Sequence, residues 1–173
     1  AWERKPVDRS VRKGFTVALS PGAKTASLAG IAFAVGKPVR LAGGLETEAR
    51  SPSVHIDLGR RKATELHFLW STSVATDMGT PVATLTVTYA DGKTVDVPVE
   101  YGRAIFAPSD RRASRETVSY GAVPGVLATR RWAWSNPRPD QPIAMLTLTS
   151  AGTEAAPVIE AVTGIGTQNG QRT

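Results

Sequence analysis

The 173-residue sequence contains no cysteine, only two histidines, few aromatic residues and no long apolar run. Without cysteine there is no disulfide framework, no cysteine-ligated zinc site and no thiol catalyst. No apolar stretch approaches the ~20 residues that a bilayer-spanning helix needs. The opening segment, AWERKPVDRSVRKG, is polar and basic and does not resemble a signal peptide. These absences exclude several chemistries and leave the compartment open.

The chain is strongly basic, with a formal net charge of +6 at pH 7 and a pI near 10.1. Such a balance suits an anionic partner, for example nucleic acid or an acidic glycan. However, the arginines are scattered, and the short clusters at 60–62, 111–112 and 130–131 lie in no basic helix. We therefore expect neither a nucleic acid nor a membrane as partner, and an acidic glycan stays open as a ligand.

The clearest pattern in the chain is PVATLTVTYADGKTVDVPVEY, residues 81–101. Apolar and polar residues alternate on both sides of Asp91-Gly92, which predicts two adjacent antiparallel strands, 82–89 and 94–101. Gly92 can adopt the positive φ that a tight turn requires, because it has no Cβ. The sequence therefore predicts an antiparallel β protein.

Turn signals recur every eight to twelve residues, a spacing typical of a sandwich or barrel. No stretch shows a sustained helical apolar period. The expected strands lie at 15–19, 31–35, 39–41, 53–57, 64–71, 82–89, 94–101, 117–120, 126–134, 141–150 and 158–163. We expect an all-β fold, a single jelly-roll β-sandwich over residues 14–164, with an N-terminal arm or linker (1–13) and a C-terminal tail (165–173).

One core cluster is expected to contain large residues from the predicted strand faces. Leu66, Phe68 and Trp70 share one side of their strand, and Leu146 and Leu148 share a side of theirs. The full predicted core is Phe15, Ile31, Phe33, Leu66, Phe68, Trp70, Leu85, Val87, Leu146, Leu148 and Ile159. Strands half-buried in this way pack two sheets face to face.

Several segments, taken in order, resemble the bacterial galactose-binding-like β-sandwich, a jelly-roll module often appended to polysaccharide-degrading enzymes. They are FTVALS (15–20), AGIAF (29–33), HIDLG (55–59), ELHFL (65–69), YADG (89–92), WSNPRP (134–139) with the strand to 150, and PVIEAVT (157–163). Trp70 departs from the family pattern, where a small residue or histidine is expected, and we interpret it as a core residue.

The resemblance implies a non-catalytic ancillary domain that binds sugar in some members and only supports a catalytic domain in others. It implies an extracellular or periplasmic protein whose partners are a poly- or oligosaccharide and the catalytic domain of its parent protein. Our leading hypothesis is a carbohydrate-associated, glycan-binding module of a larger exported enzyme. The alternative is a purely structural sandwich domain without its own ligand.

The chain shows no recognisable catalytic set, so we expect it not to be an enzyme by itself. His55 and His67 lie mid-strand, and no Gly-x-Ser-x-Gly elbow supplies a serine nucleophile. The carboxylates that could form a glycosidase pair have no evident mutual spacing. They are Glu46, Glu48, Asp77, Asp110, Glu116 and Glu154.

No cofactor is required by any motif, and the two histidines lack a metal-binding spacing. The sequence leaves open a structural calcium ion, because backbone carbonyls can supply ligands. Asp91-Gly92, or Asp77 with Thr80, are conceivable positions for it.

Aromatic side chains are the best sugar-binding candidates, since a flat ring can cover the apolar face of a pyranose. Trp132 and Trp134 share one face of a strand and form either a sugar platform or part of the core. The irregular region 102–125 contains or adjoins three further aromatics (Tyr101, Phe106 and Tyr120) and the cluster Asp110, Arg111 and Arg112. Because long loops on rigid sandwiches often bind ligands, we predict a glycan site formed by Tyr101, Trp132, Asp110, Arg111 and Arg112.

Overall fold

The computed structural model describes residues 13–28, 30–44, 50–112, 114–119 and 130–166. These residues form twelve strands and no helix. The strands are β1 (Gly14–Val17), β2 (Lys24–Leu28), β3 (Ile31–Val35), β4 (Val39–Arg40), β5 (Ser53–Arg61), β6 (Glu65–Thr72), β7 (Pro81–Tyr89), β8 (Thr94–Glu100), β9 (Thr117–Ser119), β10 (Arg130–Ser135), β11 (Ile143–Ser150) and β12 (Pro157–Ile165). The all-β prediction is confirmed. Among the described residues, no helix has the length and apolarity to cross a membrane.

The strands form two main antiparallel sheets and one separate hairpin. The large sheet has the order β1-β12-β6-β10-β9, and β4 also pairs with β12. The second sheet has four strands in the order β5-β11-β7-β8. The two-stranded β2–β3 hairpin is the third sheet.

Both main sheets contribute side chains to one hydrophobic core, as expected of a β-sandwich. Phe68 and Trp70 enter it from β6, and Leu85 and Leu148 enter it from the four-stranded sheet. All four side chains are buried. The alternation of apolar and polar residues in β7 and β11 therefore separates a core-facing side from a solvent-facing side.

The predicted single core cluster needs a correction, because Ile31 and Phe33 belong to a second cluster. That cluster joins the β2–β3 hairpin to the other face of the large sheet, through Leu69, Ala161 and Ile165. Consequently β12 is buried along its whole length, since one face meets the sandwich core and the other meets the hairpin. Phe15, also predicted as core, is only partly buried and packs against the main cluster.

The predicted 82–89 and 94–101 hairpin is confirmed as β7 and β8. Their register runs from Pro81 opposite Glu100 to Thr88 opposite Thr94. Gly92 has a φ of 86° and donates its backbone N–H to the Tyr89 carbonyl, at 2.9 Å. The left-handed conformation expected at this glycine is therefore present.

Candidate functional site

Tyr101 and Asp110 form the centre of a polar network in the loop that follows β8. Tyr101 is fully buried, and its hydroxyl donates a hydrogen bond to Asp110 Oδ2 at 2.7 Å. The same hydroxyl accepts a hydrogen bond from the backbone N–H of Ala107 at 3.2 Å. Burial raises the pKa of Tyr101. The phenol therefore ties two parts of the loop together instead of facing solvent.

Arg112 completes this network from the solvent side. Its Nη2 donates to Asp110 Oδ2 at 2.7 Å, and its backbone N–H donates to Asp110 Oδ1 at 3.0 Å. Hydrogen bonds from Arg112 hold the pKa of the Asp110 carboxyl well below its usual range, and they raise the pKa of Arg112. Although half of the Arg112 side chain is exposed, its guanidinium is engaged within the chain.

Arg130 is the buried cationic member of this network. Its Cζ lies 3.6 Å from the centroid of the Phe106 ring, and its Nη2 donates to the Asp110 carbonyl at 2.8 Å. Burial lowers the pKa of Arg130, although the nearby Asp110 carboxylate opposes this shift. We call Tyr101, Phe106, Asp110, Arg112 and Arg130 the Tyr101–Asp110 network. Its hydroxyl, carboxylate and guanidinium groups form hydrogen bonds to one another or to the Asp110 backbone.

The structure places Trp132 in the core and not on the surface. Its exposed fraction is 8 %, and its ring stacks on Trp70 with a centroid distance of 5.5 Å. The Phe68 ring lies 4.6 Å from the Trp70 ring and 5.9 Å from the Trp132 ring, measured between centroids. Trp134 is also buried, with 9 % exposed. The platform interpretation of this tryptophan pair is therefore replaced by the core interpretation.

The structure thus brings only some of the residues of the predicted glycan site into contact. Tyr101, Asp110 and Arg112 are in contact, whereas Trp132 lies in the sandwich core and Arg111 is exposed. Phe106 is buried in the network, and Tyr120 lies outside the described residues. As arranged, the rings of Tyr101 and Trp132 are covered by protein and cannot stack on a sugar.

The two histidines have different surroundings and do not meet. His55 is exposed on β5, and its Nδ1 lies 3.0 Å from Thr147 Oγ1. His67 is buried in β6, with Nε2 3.3 Å from Glu65 Oε2. Neither hydrogen bond involves a serine that could serve as nucleophile.

The acidic residues proposed as calcium ligands or glycosidase carboxylates are dispersed. Asp91 pairs with Arg138, whose hydrogen bonds lower the pKa of Asp91 to about 2. Glu116 pairs with Arg103 at 3.0 Å, and Asp77 is exposed. Glu46 and Glu48 lie outside the described residues. Among the residues that the structure describes, no three His, Asp or Glu side chains are grouped to hold a metal ion.

One surface feature was missed by the sequence analysis, namely the outer face of the four-stranded sheet. A row of side chains crosses its four strands in register: His55, Thr147, Thr86 and Asp96. Thr86 Oγ1 donates to Asp96 Oδ1 at 2.6 Å, which parallels the His55–Thr147 contact at the other end. The alternate threonines of β7 and β11 are the sequence signal that could have identified this face.

The comparisons with known proteins add no assignment to this geometry. No protein-family model matches the chain, and no curated protein matches it.

Proposed function

We propose that this chain is a non-catalytic ancillary β-sandwich module of a larger exported bacterial glycan-degrading enzyme. In this proposal it acts as a rigid domain beside the catalytic domain. The ordered segments that resemble galactose-binding-like jelly rolls support it. The observation that carries it is that the candidate binding residues contact other parts of the chain. The rings of Tyr101 and Trp132 are buried, and the Asp110 carboxylate is bound by Tyr101 and Arg112.

The absence of intrinsic hydrolysis is tested by incubating the chain with neutral and acidic polysaccharides and measuring new reducing ends. We expect no release above a heat-denatured sample. The matched variants are His55→Ala and His67→Ala, which remove the two imidazoles. Turnover by the unmodified chain that disappears in either variant would overturn the proposal.

The supporting role is tested with the longer protein that the proposal assumes. Deleting this domain is expected to lower the thermal midpoint of the catalytic domain while leaving its turnover of short soluble oligosaccharides unchanged. An unchanged midpoint would contradict a structural role.

Glycan binding is the second candidate function, and the outer face of the four-stranded sheet favours it. Its row of imidazole, hydroxyl and carboxylate groups is exposed or half-exposed and already oriented by two internal hydrogen bonds. Such groups can donate to and accept from sugar hydroxyls without a stacking ring. Preorganised polar groups reduce the ordering cost of binding.

Calorimetric titration with neutral and acidic polysaccharides separates this face from the loop that the sequence analysis selected. If the face binds, Thr86→Val with Thr147→Val should abolish the binding heat, whereas Arg111→Ala should preserve it. The reverse pattern would place the site in the loop. Absence of heat with every polysaccharide would leave the structural role as the function.

A further inference from the structure

Glu160 is a buried carboxyl group at an irregularity of β12. Ile159 lies opposite Trp70 and Ala161 lies opposite Leu69, so the register shifts and Glu160 has no partner residue on β6. Its exposed fraction is 3 %. Among the described residues, no hydrogen-bond partner is present for its buried Oε2. A β-bulge is a position where a side chain can be redirected without interrupting the sheet.

The bulge lies next to the part of β12 that the β2–β3 hairpin covers. Phe33 and Ile31 of the hairpin pack on Ala161 and Ile165. Thr163 Oγ1 donates a hydrogen bond to the Ala32 carbonyl at 2.6 Å, which also joins the hairpin to β12. The hairpin is thus held to the large sheet by a small apolar cluster beside the buried carboxyl group.

Few charged groups face this region from the neighbouring strands. On β4, Arg40 lies opposite Val158 and is exposed. On β6, Glu65 and His67 lie on the hairpin side, at the far end of the contact with β12. The sequences of β1 and β3 contain no ionisable side chain, and β2 contributes only the exposed Lys24. On β10, Arg131 lies opposite Leu69 and is half-buried. Among the described residues, the charge that acts on Glu160 is that of the exposed Arg40.

We propose that Glu160 is a pH-sensitive latch: its neutral acid form is compatible with the closed β2–β3 hairpin, and its ionisation loosens the hairpin from the large sheet. On ionisation the proton passes to solvent water, and the carboxylate gains hydration when the hairpin moves away from β12. An ionised carboxylate without a partner is strongly disfavoured in an apolar site. The hairpin can move without breaking either main sheet, since it is a two-stranded sheet of its own.

The direction of the effect follows from proton linkage. Burial raises the pKa of Glu160 from 4.5 to about 7, and the charge of Arg40 opposes this shift. The closed form therefore holds its proton at pH values where the open form has released it. Closure is favoured most below pH 4.5, weakens as the pH rises to about 7, and changes little above that value.

Hydrogen–deuterium exchange, corrected for the intrinsic rate at each pH, tests the latch on the whole chain. We expect protection of residues 24–35 to fall by about tenfold or more between about pH 5 and pH 8.5. The β7–β8 hairpin, which lies in the other main sheet and pairs with neither β12 nor the β2–β3 hairpin, serves as internal control and should keep its protection. In Glu160→Gln the protection of 24–35 should not depend on pH. A constant protection in the unmodified chain, or an equal fall in Glu160→Gln, would overturn the proposal.

A carboxyl-carbon NMR titration and a second variant keep the test decisive if Glu160→Gln does not fold. In the unmodified chain, the Glu160 carboxyl should titrate together with the loss of protection at 24–35. Arg40→Gln changes only an exposed side chain and removes the charge that opposes the shift, so both midpoints should move to higher pH. A Glu160 midpoint below about pH 5, or midpoints unmoved in Arg40→Gln, would overturn the latch.

Discussion

At the residue scale, three aromatic side chains pack against one another in the sandwich core. Phe68, Trp70 and Trp132 are stacked or tilted against one another with centroid distances of 4.6 to 5.9 Å. Such ring pairs add to the stabilisation from burying their apolar area. Phe68 is fully buried and contacts both tryptophans.

Phe68→Ala should lower the free energy of unfolding by about 3–5 kcal/mol, because it removes buried apolar area and leaves a cavity. Urea denaturation followed by circular dichroism measures this change. Thr84→Ala is the matched control on the solvent-facing side of β7, where we expect a change within about 0.5 kcal/mol. An unchanged midpoint for Phe68→Ala would mean that the core-facing side of β6 is assigned wrongly.

Gly92→Val tests a backbone conformation in place of a contact. A Cβ at this position would meet no atom within 4 Å, so the cost comes from the φ of 86° alone. A β-branched residue is strained there, and we expect a loss of about 1 kcal/mol or more. Ala90→Val, two residues earlier in the same turn, should cost less because Ala90 is not among the residues with positive φ. Equal costs for the two variants would argue against strain at Gly92.

At the level of elements, the loop between β8 and β9 contains most of the Tyr101–Asp110 network. Its side-chain contacts add to backbone hydrogen bonds such as that from the Asp110 N–H to the Ala107 carbonyl, at 3.0 Å. Asp110 accepts from the Tyr101 hydroxyl and from Arg112, while its carbonyl accepts from Arg130. The loop conformation therefore depends on an ionised Asp110.

Because the pKa of Asp110 is lowered in the folded protein, this residue stabilises the fold above the carboxyl's ordinary pKa. That stabilisation is lost as the pH falls toward the folded-state pKa. Asp110→Asn should therefore melt at a lower temperature than the unmodified chain at pH 6, and the difference should narrow by about pH 2. Scanning calorimetry between pH 6 and about pH 2 measures this difference in melting temperature. Arg112→Gln should show the same trend more weakly, and a difference independent of pH would contradict the ionised role.

Local patterns predicted some elements well and missed others for physical reasons. The β7–β8 hairpin was predicted because its alternation and its Asp-Gly turn are both local. The strand β2, KTASL, was missed since it lacks alternating large apolar residues, and it is a strand through its pairing with β3. For Trp132 and Trp134, alternation showed that they share a face, but only the opposing sheet decides whether that face is buried. Likewise, no local signal in the run PVIEAVTGI predicts a bulge at Glu160.

At the scale of the whole molecule, the two main sheets are joined by polar contacts as well as by the shared core. Asn136, which follows β10, is buried and accepts a hydrogen bond from the Tyr89 hydroxyl of the four-stranded sheet at 2.6 Å. Its Nδ2 donates to the Ala63 carbonyl at 2.7 Å, in the connection between β5 and β6. Asn136 therefore connects both sheets at one end of the sandwich. Such a connection favours a single cooperative unfolding transition.

Asn136→Ala should cost about 2–4 kcal/mol, because it leaves the Tyr89 hydroxyl and the Ala63 carbonyl buried without their partner. Tyr89→Phe should cost about 1 kcal/mol, since Asn136 Oδ1 also accepts from the Arg138 backbone N–H at 2.9 Å. Urea denaturation of the two single variants and the double variant forms a cycle. We expect a coupling of about 0.5–3 kcal/mol between the two positions.

The same denaturation series shows whether Asn136 makes the two main sheets unfold together. The described tryptophans, Trp70, Trp132 and Trp134, all lie in the large sheet, so their fluorescence, measured in a Trp2→Phe background, reports on that sheet. Far-ultraviolet circular dichroism reports on all the strands.

In the unmodified chain the fluorescence and circular dichroism transitions should coincide, because the core and Asn136 couple the sheets. If Asn136 supplies part of this coupling, the transitions should separate in Asn136→Ala and stay coincident in Thr84→Ala. Additive costs in the cycle, together with coincident transitions in Asn136→Ala, would assign the cooperativity to the apolar core alone.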